Sequence, residues 1–195
     1  MALADALDVP IDYLLGRHRT RRELFDHQAL RYASEEQFLD ATVPLIEQAV
    51  TRGEPVLTVT TADKIRRLRR SLGGQPAGLT LTSSARWYRS PTETLDAYRK
   101  FVIEQLDNGH HWVWIIGEPV WQGRTPHEVR AWTTYEALIN IVFAPFAVTT
   151  ICPYDQRRLH PPILASAETT HPRIRTAAQV DCSDDFAGSE LAVLQ

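Results

Sequence analysis

In this chain of 195 residues, chemistry could be done by Glu118, Glu136, Asn140, Cys152, Tyr154 and Asp155. Glu118 or Asp155 as a base with Cys152 as a nucleophile would make a small enzyme. The same polar groups, walled by Trp87, Tyr88, Trp121 and Trp132, would instead orient the polar parts of a small ligand. His27, Glu118, Cys152 and His171 are geometrically able to form a composite site, although nothing in their spacing calls for one. No HxxxH, HxH or CxxC is present, so no metal is expected. No cofactor is expected either: neither GxxxxGK[ST] nor GxGxxG follows a strand-like run, and no GxSxG occurs. The turn Thr60-Thr61-Ala62-Asp63-Lys64 holds no glycine that would let backbone cradle a phosphate.

Each candidate also has a plainer reading. Cys152 fits a small buried hydrophobe, since free cysteine is among the most buried residue types. Glu136 can cap backbone amides or pair with an arginine, Tyr154-Asp155 can be a turn, and the tryptophans can be ordinary core. Lys64, Arg66, Arg67, Arg69 and Arg70 read as a solvated helix face, because Ile65 and Leu68 account for the buried side.

Elements that alternate between strand and helix must position these groups. Ala29 to Tyr32 is a short strand, followed by a capping box in which Ser34 caps and Gln37 reaches back. The helix it opens, with Phe38, Leu45 and Ala49 inward and a kink at Pro44, ends before Gly53. Pro55 to Thr60 is a buried strand, Asp63 to Leu72 a helix, and Leu79 to Thr82 a third strand. Ser90-Pro91-Thr92-Glu93 opens a helix that runs to Asn108-Gly109. His111 to Ile116 is too continuously apolar for a half-exposed strand and fits a central parallel one. Thr125-Pro126-His127-Glu128 repeats the cap, and its helix places Trp132, Glu136 and Asn140 at i, i+4, i+8 on one stripe. A carboxylate on such a stripe needs a partner or a cavity. Phe146 to Cys152 is a fifth strand that runs out into Pro153-Tyr154-Asp155. Beyond residue 157 the pattern weakens; Ile163 to Ala167 is a helix turn or strand, and Phe186 anchors a last strand. The fold class is therefore α/β, a three-layer α/β/α sandwich with a mostly parallel sheet. Ligands of such sheets bind at the carboxyl ends of the strands, where Glu118, Cys152 and Tyr154 are expected to share one cavity above Glu136 and Asn140.

Composition agrees with this reading. The hydrophobic fraction of 44% and charged fraction of 23% exclude a disordered chain, and the net charge of −3 argues against nonspecific nucleic-acid binding. No run approaches the ~18 apolar residues of a membrane helix. Two cysteines make no disulfide framework, so the chain reads as cytoplasmic and reduced.

Several pieces occur in order: His27, Ala29-Leu30-Arg31-Tyr32, Ser34-x-x-Gln37-Phe38, Gly53-Glu54-Pro55-Val56-Leu57, Trp87-Tyr88-x-x-Pro91, Gly117-Glu118-Pro119-x-Trp121, Tyr135-Glu136-Ala137-Leu138-x-Asn140, Cys152-Pro153-Tyr154-Asp155 and Thr170-His171-Pro172. Together they resemble the MEDS domain, the methanogen/methylotroph DcmR-type sensory domain, over roughly residues 25 to 186. The resemblance implies a non-catalytic module sensing simple hydrocarbon derivatives on a scaffold like RecA or KaiC without the P-loop, often fused to DNA-binding or kinase-like outputs. Residues 3 to 16 resemble the end of a Cro/repressor-type helix-turn-helix domain without the helices that enter the groove. The division expected is a helical arm or remnant at 1–24, the sensory domain at 25–186 and a tail at 187–195. DNA binding is not expected of this chain; the expected partners are a small-molecule ligand, an output protein and a second copy through the arm. An enzyme and a partner-switching protein remain the alternatives to the sensor.

Overall fold

The computed structural model describes residues 24–188. Their chain order is β1 (Phe25–Tyr32), α1 (Glu35–Thr51), β2 (Val56–Thr60), α2 (Ala62–Ser71), β3 (Leu79–Ser83), α3 (Ser84–Trp87), α4 (Pro91–Asp107), β4 (Val113–Gly117), α5 (Pro126–Val142), β5 (Val148–Asp155), α6 (Pro161–Thr170), β6 (Arg173–Arg175) and β7 (Val180–Cys182). One seven-stranded sheet orders them β3-β2-β4-β5-β1-β6-β7. All neighbours pair in parallel except β6 and β7.

The helices start where the side chains can satisfy free backbone N–H groups. Ser34 Oγ accepts from Gln37 N at 3.1 Å. Gln37 Oε1 reaches back one residue further than a capping box, to Ala33 N at 2.7 Å. Thr125 and Glu128 make the full reciprocal box at the start of α5. α1 runs on through Pro44.

Strand alternation divides the core between two faces. Leu30, Tyr32, Val56, Ile116 and Ile151 point toward α1 and α2, where Phe38, Ile46 and Leu68 meet them. Ala29, Leu57, Val59, Ile115, Cys152 and Tyr154 point the other way, against Tyr98 and Val102 of α4, Trp132, Tyr135 and Ile139 of α5, and Ile163 and Ala167 of α6. The result is the expected three-layer sandwich. β4, the strand read as central, is flanked by β2 and β5, and Val113, Ile115 and Ile116 are fully buried. Because that strand and its partner are buried on both sides, their apolar runs show no alternation in the sequence.

Three expectations shift. β5 begins at Val148 and continues to Asp155, so Pro153, Tyr154 and Asp155 lie in the sheet rather than beyond it. The extension follows from β1, which pairs with all eight β5 residues, from Phe25↔Val148 to Tyr32↔Asp155. Pro153 falls past the last β4 pair, Ile116↔Ile151, so on that side its missing N–H removes no ladder bond. The segment Ile163 to Ala167 lies within a helix, α6. The last strand is Val180–Cys182, and Phe186 follows it in irregular structure. The helix-turn-helix-like residues 3–16 and nearly all of the arm at 1–24 lie outside the described residues, as do residues 189–195. Among the described residues no helix is long and apolar enough to cross a membrane.

Gly117 closes β4 under two phenols. A Cβ built there would stand 2.5 Å from Tyr98 Oη and 2.7 Å from Tyr88 Oη, which are hydrogen-bonded to each other at 2.8 Å. Gly117→Ala is expected to lower stability by about 1–3 kcal/mol through overpacking, read as a reduced urea midpoint at unchanged m-value.

Candidate functional site

Parallel strands bring their carboxyl ends to one rim, and a pocket of about 290 Å³ opens there. Its lining includes Tyr32 from β1, Thr61 and Lys64 at the start of α2, Glu118 and Trp121 after β4, and Asp155 at the end of β5. Glu118 sits at the centre of a polar network. Thr60 Oγ1 donates to its Oε2 at 2.5 Å and Tyr32 Oη to its Oε1 at 2.7 Å. Lys64 Nζ donates to Glu118 Oε1 and also to Tyr32 Oη. Burial and the Glu118 carboxylate push the Tyr32 phenol well above its ordinary range, so it stays a hydrogen-bond donor.

Lys64 is the residue that sequence reasoning placed on the wrong face. It stands four residues before Leu68, on the side of α2 turned to the sheet, and is buried. The signal was its i, i+4 relation to Leu68. The charge masks that pattern in the sequence, whereas in the fold Glu118 compensates the charge. Tyr32 and Thr60 also escaped notice, because both read as ordinary strand residues.

Asp155 closes the β5 side of the rim. It accepts from Arg157 N at 3.0 Å, Arg157 Nε at 3.2 Å and Arg157 Nη2 at 3.1 Å. Burial pushes its carboxyl up, but the bonds from Arg157 outweigh burial and hold it below its ordinary 3.8.

The remaining candidates separate from this pocket. Tyr88 and Trp132 stack edge to face at 5.4 Å, Trp132 meets Tyr135 at 5.1 Å, and Trp87 packs on Tyr98 at 5.1 Å, all under α4 and α5. Of the four aromatics expected to wall the cavity, Trp121 alone lines the pocket.

A second polar centre lies under α5 and α6, wholly inside the protein. His27 on β1, Glu136 and Asn140 on α5, Cys152 on β5 and His171 at the end of α6 meet there, each of them buried. Their ligating atoms, one each from His27, Glu136, Cys152 and His171, lie within 4.8 Å of one another. Cys152 Sγ donates to Glu136 Oε2 at 3.3 Å and stands 3.5 Å from His27 Nε2. Glu136 Oε2 is 3.7 Å from His27 Nε2 and 3.6 Å from His171 Nε2. The composite site that the sequence allowed therefore forms with Glu136 in place of Glu118. It escaped motif reading because residues 27, 136, 152 and 171 come from four separate elements.

Burial pushes the His27 imidazole down to about 4, helped by the neighbouring His171, so it is uncharged near neutrality. Burial pushes the Glu136 carboxyl up, and the His171 and His27 rings beside it pull it down only in so far as they carry a proton toward it. Burial and the Glu136 carboxylate both raise the Cys152 thiol well above its ordinary range. That environment does not prepare a thiolate nucleophile. Cys152 is also bonded to Glu136 and His27 rather than to Glu118 or Asp155, the bases expected for an enzyme.

Asp155→Asn is expected to cost about 1 kcal/mol at pH 7, a modest figure because Arg157 is half exposed. The native carboxyl titrates below its unfolded value, so this stabilisation is present above pH 3.8 and is lost as pH falls through the native pKa. Urea midpoints of the two proteins should therefore converge below that pH; a gap that persists in acid would contradict the assignment.

No curated protein matches the chain. The family described as MEDS, the MEthanogen/methylotroph, DcmR Sensory domain, matches residues 26–172, a span running from the start of β1 through α6 and its terminal His171. The chain belongs to the MEDS family of sensory domains.

Proposed function

We propose that this domain senses a simple hydrocarbon derivative bound in the rim pocket beside Glu118, and passes the signal to an output protein or domain in transcriptional or signalling regulation. The pocket carries the reading. It sits where open parallel sheets take their ligands, and it joins one aromatic wall, Trp121, to a few convergent polar groups. A pocket of about 290 Å³ suits a small molecule. Four carboxylates line it, from Glu35, Asp63, Glu118 and Asp155, against two cations, Lys64 and Arg158. Arg67 and Arg157 pair with three of those carboxylates, and Lys64 with the fourth, so the pocket favours a small neutral donor, such as a short alcohol, over a polyphosphate.

The chemistry of sensing follows from the Lys64–Glu118 pair. A ligand that donates to Glu118 competes with Lys64 at the first turn of α2, so binding is coupled to the position of that helix and of the segment carrying Trp121. A ligand shifts such an equilibrium only by its differential affinity for the two arrangements. The Trp121 ring stands 6.1 Å from Tyr154, which faces the opposite layer, giving the pocket a packed connection to the core beneath α5.

The test is a tryptophan-fluorescence titration with a panel of methylamine, methanol, ethanol and acetate, run beside MgATP. At least one of the four is expected to change the emission saturably, with Trp121→Phe abolishing the change and Glu118→Gln weakening binding at least about tenfold, as loss of a charged hydrogen bond requires. MgATP should give no response. A response to MgATP alone, or one that survives both substitutions, would overturn the reading.

A further inference from the structure

Beyond the sensing pocket, we propose that His27, Glu136, Cys152 and His171 form a binding site for a divalent transition-metal ion, zinc being the best fit, that fastens α5 and α6 to strands β1 and β5. The argument begins with where the protons are. Asn140 Nδ2 donates to Thr170 O at 2.7 Å, which turns Asn140 Oδ1 toward His27 Nδ1 at 3.0 Å. The Oδ1 atom only accepts, so His27 carries its proton on Nδ1 and presents a bare lone pair at Nε2. His171 repeats the pattern. Its Nδ1 lies 2.8 Å from Ala167 O, which also only accepts, so in the neutral ring Nε2 is bare as well.

Four electron-pair donors thus converge in a closed interior: two imidazole Nε2 atoms, Glu136 Oε2 and Cys152 Sγ. The Cys152 S–H is the one proton available among them. Among the described residues His171 Nε2 and Glu136 Oε1 have no hydrogen-bond partner, though both residues are almost wholly buried. Natural proteins rarely leave such groups unmet, because a buried polar atom without a partner loses its hydration uncompensated, and a charged one loses more. A cation at the centre, held by Glu136 Oε2 and both nitrogens, gives the orphaned His171 Nε2 its partner.

The spacing suits one ion. Arms of about 2.0–2.3 Å at tetrahedral angles place ligand atoms roughly 3.3–3.8 Å apart. The measured separations of 3.3, 3.5, 3.6 and 3.7 Å fall in that range. The widest pair, within 4.8 Å, must close by about 1 Å, a side-chain adjustment. Charge agrees too. On binding, the Cys152 S–H proton leaves to water and a sulfur–metal bond forms, so one thiolate and one carboxylate neutralise a 2+ ion between two neutral imidazoles. Asn140 Oδ1 and Ala167 O then act as the outer partners that fix the two rings, as carbonyl oxygens do behind metal-bound histidines.

The experiment uses the full chain purified under reducing conditions, with elemental analysis of the product and then titration of chelator-treated protein with Co²⁺ and Zn²⁺. The expected result is about one zinc per chain as purified, or uptake of one Co²⁺ with the intense visible bands and near-ultraviolet charge-transfer band of a tetrahedral cobalt thiolate, bleached by Zn²⁺. Zn²⁺ should raise the melting temperature. Cys182→Ser, which removes the other and exposed thiol, should leave all of this unchanged. Cys152→Ala should remove the charge-transfer band, and Asn140→Ala should weaken Co²⁺ binding roughly 10–100-fold while leaving the band's shape. If Cys152→Ala does not fold, Glu136→Gln serves, with binding expected to weaken at least as much as in Asn140→Ala. A folded wild-type chain with no bound metal, no cobalt spectrum and no thermal shift would overturn the proposal. So would a cobalt band that depends on Cys182.

Discussion

Much of this structure depends on the ladder between β1 and β5. Eight parallel pairs join a strand near the start of the described chain to one more than a hundred residues later, in the middle of the sheet. Strand alternation then decides the rest. Odd-numbered residues of β1 and even-numbered residues of β5 turn toward α5 and α6, carrying His27 and Cys152 inward together. Tyr32 and Asp155, the last pair of the ladder, reach the rim. A slip of one residue in β5 would turn Cys152 to the other layer and Asp155 away from its place in the rim. Register, more than any single contact, makes both polar centres.

The two centres meet opposite physical conditions. Glu118 itself is partly exposed in the rim pocket, and its carboxylate is satisfied by three buried donors: Thr60, Tyr32 and Lys64. In the proposed account these bonds are exchanged for bonds to a ligand. Around Glu136 the groups are sealed, hydrogen bonds fix the tautomers, and the acceptors outnumber the donors. The natural role of that centre in the proposed account is to hold helices in place while the rim responds.

The sequence revealed the fold wherever short-range physics decides it. Caps at Ser34, Ser90 and Thr125, the apolar run of β4, and the Trp132-Glu136-Asn140 stripe all depend on neighbours within a turn or a strand, and each stands in the structure. The buried carboxylate at Glu136 was also legible, as a charge on an apolar stripe. Its partners were not, because His27, Cys152 and His171 meet it only through sheet order and register. Lys64 was misread for a related reason: its compensating charge lies 54 residues away. The end of β5 was cut short at Cys152 because proline usually punctuates a strand. Here β4 ends before it, and the β1 ladder carries the strand on to Asp155. The aromatic residues expected at the rim packed together instead, since three large rings bury more area against one another than against a small pocket.

The central claim, that the rim pocket beside Glu118 is where this MEDS domain meets its ligand, is tested most directly by following the five tryptophan indole N–H resonances in two-dimensional NMR while methylamine, methanol, ethanol and acetate are added in turn. The account predicts that a binding member of the panel shifts the Trp121 indole saturably, together with the backbone amides of Lys64 and Glu118, while the Trp87 and Trp132 indoles under α4 and α5 stay in place. Saturable shifts at Trp87 or Trp132 with Trp121, Lys64 and Glu118 unmoved would contradict it.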